Sequence, residues 1–292
     1  NMLFLTNEHD PSSTRILDYL KHEIQVTVLD FFSIEKISTI PFDEFKIIFL
    51  KSQIHIKDYK NLVEYGEIIH FLNYLFGKTN VSLFGQNYLS QPSKQKILDV
   101  ARKIGFQVPD YIVVNSKAKL NDFINRKNRV VCKSLESQAL FSFEDAPLER
   151  YNCFTHEIDK ANFAELPEYF FPSFFQEFIR KDLELKIFFF KGTFFPAALI
   201  PDNQVVKTDI KASKYRCVPY AIEEHLKSMI YQLMTFFNWK MGSIDLLIKN
   251  DHAYFLEVNP SGQFGNISQE CGYNIEEFIA NELIREYKND RI

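Results

Sequence analysis

GSIDLLIKNDHAYFLEVNPSGQF (residues 242–264) decides how this chain folds and what it can do. Two apolar runs, GSIDLLIK and AYFLEVN, flank Asn250-Asp251, a turn-forming pair, so the stretch reads as an antiparallel hairpin. Asp245 lies on the first strand and Glu257 on the second, with Asn259 two residues beyond. The two-residue period of a strand puts Glu257 and Asn259 on one face, and the hairpin brings Asp245 alongside. Two carboxylates and one amide carbonyl then converge. Hard oxygen donors of this kind suit Mg²⁺, which binds through a few carboxylates and the phosphates of a substrate. A lone strand acid is more often simply solvated. Three such groups in an apolar strand pair, where an unpaired carboxylate is costly, favour the metal.

Working outward, the C-terminal part is strand-rich. FFQEFI (174–179) precedes LELKIFFF and TFFPAALI, which are joined by Lys191-Gly192, a turn that glycine permits. An amphipathic helix spans about 222–237, and NIEEFIANELIREYK reads as a closing helix. The first hundred residues alternate strand and helix patterns, the mark of an α/β layer with parallel strands. Strands are expected at 2–6, 24–30 and 46–50, with one helix capped by Ser12 or Ser13 and another near 61–75. A second unit begins near Ser93 with a capped helix stopped by Gly105, then Pro109 leading into a strand and another strand at 129–135. Residues 136–164 carry no readable pattern. The expected division is 1–90, 91–175 and 176–292.

With 292 residues, the chain can bury more than one core. Nine Gly and 11 Pro are too few for a low-complexity chain, and 30 Phe with 14 Tyr supply bulky strand and groove residues. A net charge of −4 argues against a sequence-independent nucleic-acid binder. The four cysteines lie far apart, without CxxC or histidine at ligand spacing, and read as reduced thiols of a cytoplasmic protein. No run of about 18 apolar residues predicts a membrane span. Neither GxxxxGK[ST] nor GxGxxG occurs, so phosphates of a bound nucleotide would fall to lysines.

Lys94, Lys133 in VVCKS, FFQEFI, ELK, SID and FLEVNP stand in the order that resembles the ATP-grasp ligases, whose fold holds ATP between two α+β lobes. FLTNEHDPSSTRILDYL, RCVPY and the ending GSIDLLIKNDHAYFLEVNPSGQFGNIS are similar to the graspetide maturases of the grasp-with-spasm type. The resemblance implies an α/β protein with a pre-ATP-grasp-like domain ahead of the ATP-grasp lobes. It also implies ATP and Mg²⁺ as cofactors and a ribosomal precursor peptide, leader plus core, as partner. A homodimer is left open.

Position by position, the resemblance assigns Lys94 and Lys133 to the ATP phosphates. Gln176 and Glu177 precede the hinge residues Phe178 and Ile179, which would meet the adenine edge, and Glu184 would accept from the ribose hydroxyls. Asp245, Glu257 and Asn259 become the Mg²⁺ ligands. Lys186 stands where relatives often carry Arg, and Asp209-Ile210-Lys211 stands where an Asp-aromatic-Arg run is common. Lysine keeps the charge without the planar fork. Lys186, Lys211 and Arg216 are therefore the candidates to stabilise acyl phosphate and departing phosphate.

The implied reaction begins when an Asp or Glu side chain of the peptide attacks the γ-phosphorus, giving an acyl phosphate and ADP. A Thr or Ser hydroxyl, or a Lys amine, then closes an ester or amide ring. A ligase joining a free amino acid to a small molecule or protein terminus would use the same residues. A non-catalytic nucleotide-binding protein is the third reading.

Overall fold

The computed structural model describes residues 1–6, 10–30, 40–41, 44–51, 55–56, 67, 70–71, 73–74, 81–85, 92–135, 140–143, 146–152, 155–201 and 215–289. The N-terminal part is a sheet of four parallel strands in the order β2-β1-β3-β5. Its members are β1 (Met2–Thr6), β2 (Val26–Asp30), β3 (Ile47–Lys51) and β5 (Ser82–Phe84). Helix α1 (Pro11–Leu20) follows β1. Its cap is Asp10 rather than Ser12 or Ser13, because Pro11 occupies the first turn and the Asp10 carboxylate accepts from the Ser12 N–H. Both serines are buried. The expected helix near 61–75 falls mostly outside the described residues.

The middle of the chain begins with α2 (Lys94–Ile104), capped by Ser93 and closed by Gly105 at φ 117. Strand β6 (Tyr111–Ser116), helix α3 (Lys117–Lys127), β7 (Arg129–Lys133), β10 (His156–Asp159) and β11 (Tyr169–Glu177) follow. These strands form an antiparallel sheet in the order β10-β7-β11-β6. Within the stretch that had no readable pattern, β8 (Leu140–Phe143) and β9 (Ala146–Asn152) pair with each other, and β8 pairs with β4 (His55–Ile56).

The C-terminal sheet is antiparallel, ordered β14-β13-β12-β15-β16. Its strands are β12 (Leu183–Phe190), β13 (Thr193–Pro201), β14 (Tyr215–Pro219), β15 (Met241–Lys249) and β16 (His252–Asn259). Helix α4 (Glu224–Phe236) precedes β15, while α5 (Gly265–Glu270) and α6 (Ile275–Asn289) close the chain. Both tight turns adopt positive φ, at Lys191-Gly192 and at Asn250-Asp251, which matches the twist of two-residue hairpins.

Alternation along these strands gives the sheet two apolar faces. One, with Leu185, Ile187, Ile244, Leu246 and Phe255, packs on α2 and α4. The other, with Phe188, Phe190 and Ala197, packs on the N-terminal sheet, α5 and α6. Among the described residues, no helix is long and apolar enough to cross a membrane.

Candidate active site

Cross-strand register, read from β12 outward, builds the site. Lys186 on β12 lies opposite Asp245 on β15, and Asp245 lies opposite Glu257 on β16. Residues directly opposite share a face, so these three side chains form one row across three strands. In the next row Ser243 lies opposite Asn259.

A bulge makes this row. At the turn, Lys249 pairs with His252 and Leu246 with Phe255, which would carry Asp245 opposite Leu256 and turn Glu257 to the apolar face. Between Asp245 and Leu246 the register shifts by one residue. Leu256 is the extra residue, and from there Glu257 and Asn259 share the face of Asp245.

Electrostatics in the row centre on Lys186. Its ammonium lies 2.5 Å from Asp245 Oδ1. Burial pulls the lysine down, but Asp245, Glu257 and Glu184 together hold it above its ordinary value. Burial pushes Glu184 up, against the neighbouring Lys181, to which it is ion-paired. The folded state thus binds the Glu184 proton more tightly than the unfolded chain, and this group favours folding less as pH rises from the ordinary carboxylate value through its raised one. Lys186 follows the same sign in a higher pH window: its stabilisation is complete below the ordinary lysine value and is lost as pH rises through the raised one.

The donor set fits a hard divalent cation. Asp245 and Glu257 face each other across adjacent strands, and an internal ammonium already meets their charge. Among the described residues, no three Asp, Glu, His or Cys side chains converge. Asn259, in the next row on this face, carries an amide oxygen of the same hard type. That oxygen also accepts from the Ser261 N–H at 3.1 Å, which holds the side chain in place beside its turn.

The second group lies on the central sheet. Lys133 Nζ donates to Gln176 Oε1 at 3.1 Å, and Lys94 Nζ donates to the carbonyl of Ser134 at 2.9 Å. Both lysines thus gather at the C-terminal end of β7. Gln176 is 1 % exposed, and its Nε2 has no hydrogen-bond partner. A buried orphan donor is costly unless a ligand acceptor meets it. This fits a nucleotide base beside Lys133.

Other expected residues are placed differently. Glu177 lies in register with Val130 on the face turned to α3, where it accepts from Lys127 at 3.0 Å. The Phe178 N–H is taken by the Arg129 carbonyl at 3.1 Å, and the Arg129 guanidinium lies 4.4 Å from the Phe178 ring centre. Ile179 is buried at the end of this segment. Arg216 pairs with Ile200, one residue out of phase with the Lys186 row, and so projects from the opposite face of the sheet. The register does not bring it beside Asp245. Lys211 lies outside the described residues.

Sequence reading missed Lys181, the ionic partner of Glu184, and Cys217, which lies opposite Leu199 on the site face. The ELK spacing pointed to Glu184 but carries no signal for a lysine three residues earlier. Burial, then the charge of Glu270, pushes the Cys217 thiol up to about 12, with Lys186 pulling the other way. Since the thiolate is the nucleophile, iodoacetamide at pH 8 is expected to leave Cys217 unmodified in the folded protein and to modify it after denaturation. Peptide mapping of the alkylated chain checks this.

No protein-family profile and no curated protein matches the sequence. Solved structures do match in fold. Macrocyclase MdnC from Microcystis aeruginosa MRC, bound with precursor peptide MdnA, superposes with a TM-score of 0.78 at 19% identity, covering 96% of this chain and 98% of its own. A Chryseobacterium gregarium RiPP-associated ATP-grasp ligase, in complex with ADP and a leader and core peptide, gives 0.73 at 20% identity over 98% and 96% of the two chains. ATP-grasp ligase PsnB, complexed with a phosphomimetic variant of its minimal precursor, Mg and ADP, gives 0.73 at 12% identity over 98% of each. Each likeness spans nearly the whole chain, and the fold of this protein is that of the ATP-grasp ligases.

Proposed function

We propose that this protein is an ATP-dependent macrocyclase of a ribosomally made precursor peptide, joining Asp or Glu side chains to Thr or Ser hydroxyls, or to Lys amines, of the same chain. The observation that carries the reading is the row Lys186, Asp245, Glu257, with Asn259 beside it, in a fold shared with peptide-bound ATP-grasp ligases.

Asp245, Glu257 and Asn259 would hold Mg²⁺, which when bound neutralises charge on the β- and γ-phosphates. Lys94 and Lys133 would hold the phosphates from the central sheet. Gln176, with its oxygen engaged by Lys133, presents a donor to the base. The Phe178 N–H is already used, so base contacts at the hinge fall to the Phe178 carbonyl and to Ile179. Glu184 would accept from the ribose hydroxyls, and Glu177 would brace the hinge through Lys127. Lys186 is the cation best placed to meet negative charge developing on the transferred phosphoryl group and the acyl oxygen. Lys211 and Arg216 keep the phosphate-clamp role only as further candidates.

The carboxylate of the bound peptide attacks the γ-phosphorus and ADP leaves. A hydroxyl or amine of the same peptide then adds to the acyl carbon and phosphate departs. Holding both groups on one bound chain makes ring closure intramolecular, which can contribute on the order of 7 kcal/mol when the geometry is right.

Incubation with ATP, Mg²⁺ and a leader-core peptide rich in Thr and Asp or Glu tests this by mass spectrometry. The expected product has lost one water per ring, with ADP released in proportion. Addition of an amino-acid mass to a peptide or small molecule would instead establish a non-cyclising ligase.

A further inference from the structure

The N-terminal sheet has its strand order reversal between β1 and β3, where β2 lies to one side and β5 to the other. In open α/β sheets, ligands occupy the crevice at the carboxyl ends of the strands at such a point. Here, among the described residues, side chains of the chain itself pair at that point. Lys51, at the end of β3, lies 2.6 Å from Asp10 Oδ2, and the two side chains are only 6 % and 13 % exposed. Asp10 also accepts from the Ser13 hydroxyl at 2.6 Å, and Thr6, at the end of β1, donates to the Ser13 oxygen at 2.9 Å. Lys51 Nζ lies 4.8 Å from the centre of the Phe264 ring.

Phe264 belongs to the loop that leaves β16 after Asn259. It is 1 % exposed and packs on Phe188, whose ring centre is 4.5 Å away and which lies two residues from Lys186 on the same face. The same loop presses on β15. The Ser243 hydroxyl donates to the Gln263 carbonyl at 3.1 Å, and the Gly262 N–H donates to the Asn259 carbonyl at 3.0 Å. A Cβ on Gly262 would come within 2.5 Å of the Ser243 nitrogen, and one on Gly265 within 2.9 Å of Ser12 Oγ. The loop is therefore wedged between the end of the N-terminal sheet and the strand pair that carries the acids.

We infer that Asp10 and Lys51 are positioning residues: through Phe264 they seat loop 260–265 against Ser243 and so set where Asn259 stands relative to Asp245 and Glu257. A buried ion pair adds little stability over apolar side chains of the same size, but it accepts only one arrangement of its partners. The ammonium over the ring gives that arrangement a direction, since a cation is held by the face of an aromatic and not by its edge.

The inference rests on the Mg²⁺ reading of Asp245, Glu257 and Asn259, so the test separates the two. ADP binding is titrated calorimetrically with and without Mg²⁺ for the full chain and for Lys51→Met, Glu257→Gln and Lys21→Met, the last altering an exposed pair with Asp18. For Lys51→Met the Mg²⁺ concentration giving half-maximal enhancement is expected to rise about tenfold, the scale on which groups behind metal ligands act. ADP affinity in EDTA should stay within about twofold, because the nucleotide contacts lie elsewhere; a general loosening of the fold would weaken both. Lys21→Met should match the unaltered protein. An unchanged Mg²⁺ requirement in folded Lys51→Met, beside its loss in Glu257→Gln, would overturn the positioning role alone. An unchanged requirement in Glu257→Gln would overturn the metal reading instead. Should Lys51→Met fail to fold, Phe264→Leu keeps the ion pair and removes only the ring. It carries the same expectation, and a normal Mg²⁺ requirement there counts equally against the role.

Discussion

Glu257→Gln is expected to leave the protein folded and to remove turnover. The replacement has almost the same volume and keeps an oxygen in the row, so packing beside Val258 and Asp245 is preserved. It takes away one of the two negative charges that would face Mg²⁺ under the proposed function. Groups placed where charge is met in a transition state are worth about 10²- to 10³-fold in rate. A loss of at least about 10²-fold in ATP-dependent water loss from the precursor is therefore expected. Circular dichroism should be unchanged. Near-normal turnover in this variant would be incompatible with Glu257 as a metal ligand.

The second large effect belongs to Lys186, and it concerns stability. Replacement by Met keeps most of the stem but leaves Asp245 without its ion-pair partner and removes the positive charge that acts on nearby Glu257 and Glu184. Lys186 and Asp245 are 23 % and 18 % exposed, so the pair is partly screened. Breaking it is expected to cost about 3 kcal/mol near pH 7 in the absence of divalent cation.

The pH dependence of that loss follows from its cause. Crowded carboxylates bind protons more tightly in the folded variant than in the unfolded chain, so the variant regains stability as pH falls toward 5. Urea titrations at pH 5 and pH 7.5 should therefore show a smaller gap to the unaltered protein at the lower pH. Millimolar Mg²⁺ should narrow the gap at pH 7.5. A gap that ignores both pH and Mg²⁺ would mean that Lys186 acts through packing and not through charge.

Much of the fold was legible because its signals are local. Alternation of apolar residues marked the strands on either side of Lys191-Gly192 and Asn250-Asp251, and both pairs adopt the left-handed backbone such turns need. Gly105 ends α2 for the same reason. The α1 cap was misread by two or three residues, since Asp10, Ser12 and Ser13 are all good caps and only the position of Pro11 separates them. Residues 136–164 were opaque because their strands are held by pairing with distant segments, as β10 is with β7 and β8 with β4.

The same division runs through the site. Side-chain chemistry was readable, because two acids and an amide on a hairpin, and lysines without a glycine-rich loop, restrict what can bind. Arg216 shows the limit: a charge can be named from sequence, but a shift of one residue in register decides which face of the sheet it serves.

By itself the sequence determined the hairpin, the presence of two acids and an amide on it and the alternation that builds a two-faced sheet, since these depend on residues within a turn or a strand. Only the tertiary structure decided that Glu257 faces Asp245, because a simple two-residue hairpin would have set Leu256 there and the bulge shifts the pairing by one. It alone brought Lys51 and Asp10 to Phe264, which lies more than two hundred residues away in the chain. Such contacts come from packing one sheet against another, and no local propensity encodes them.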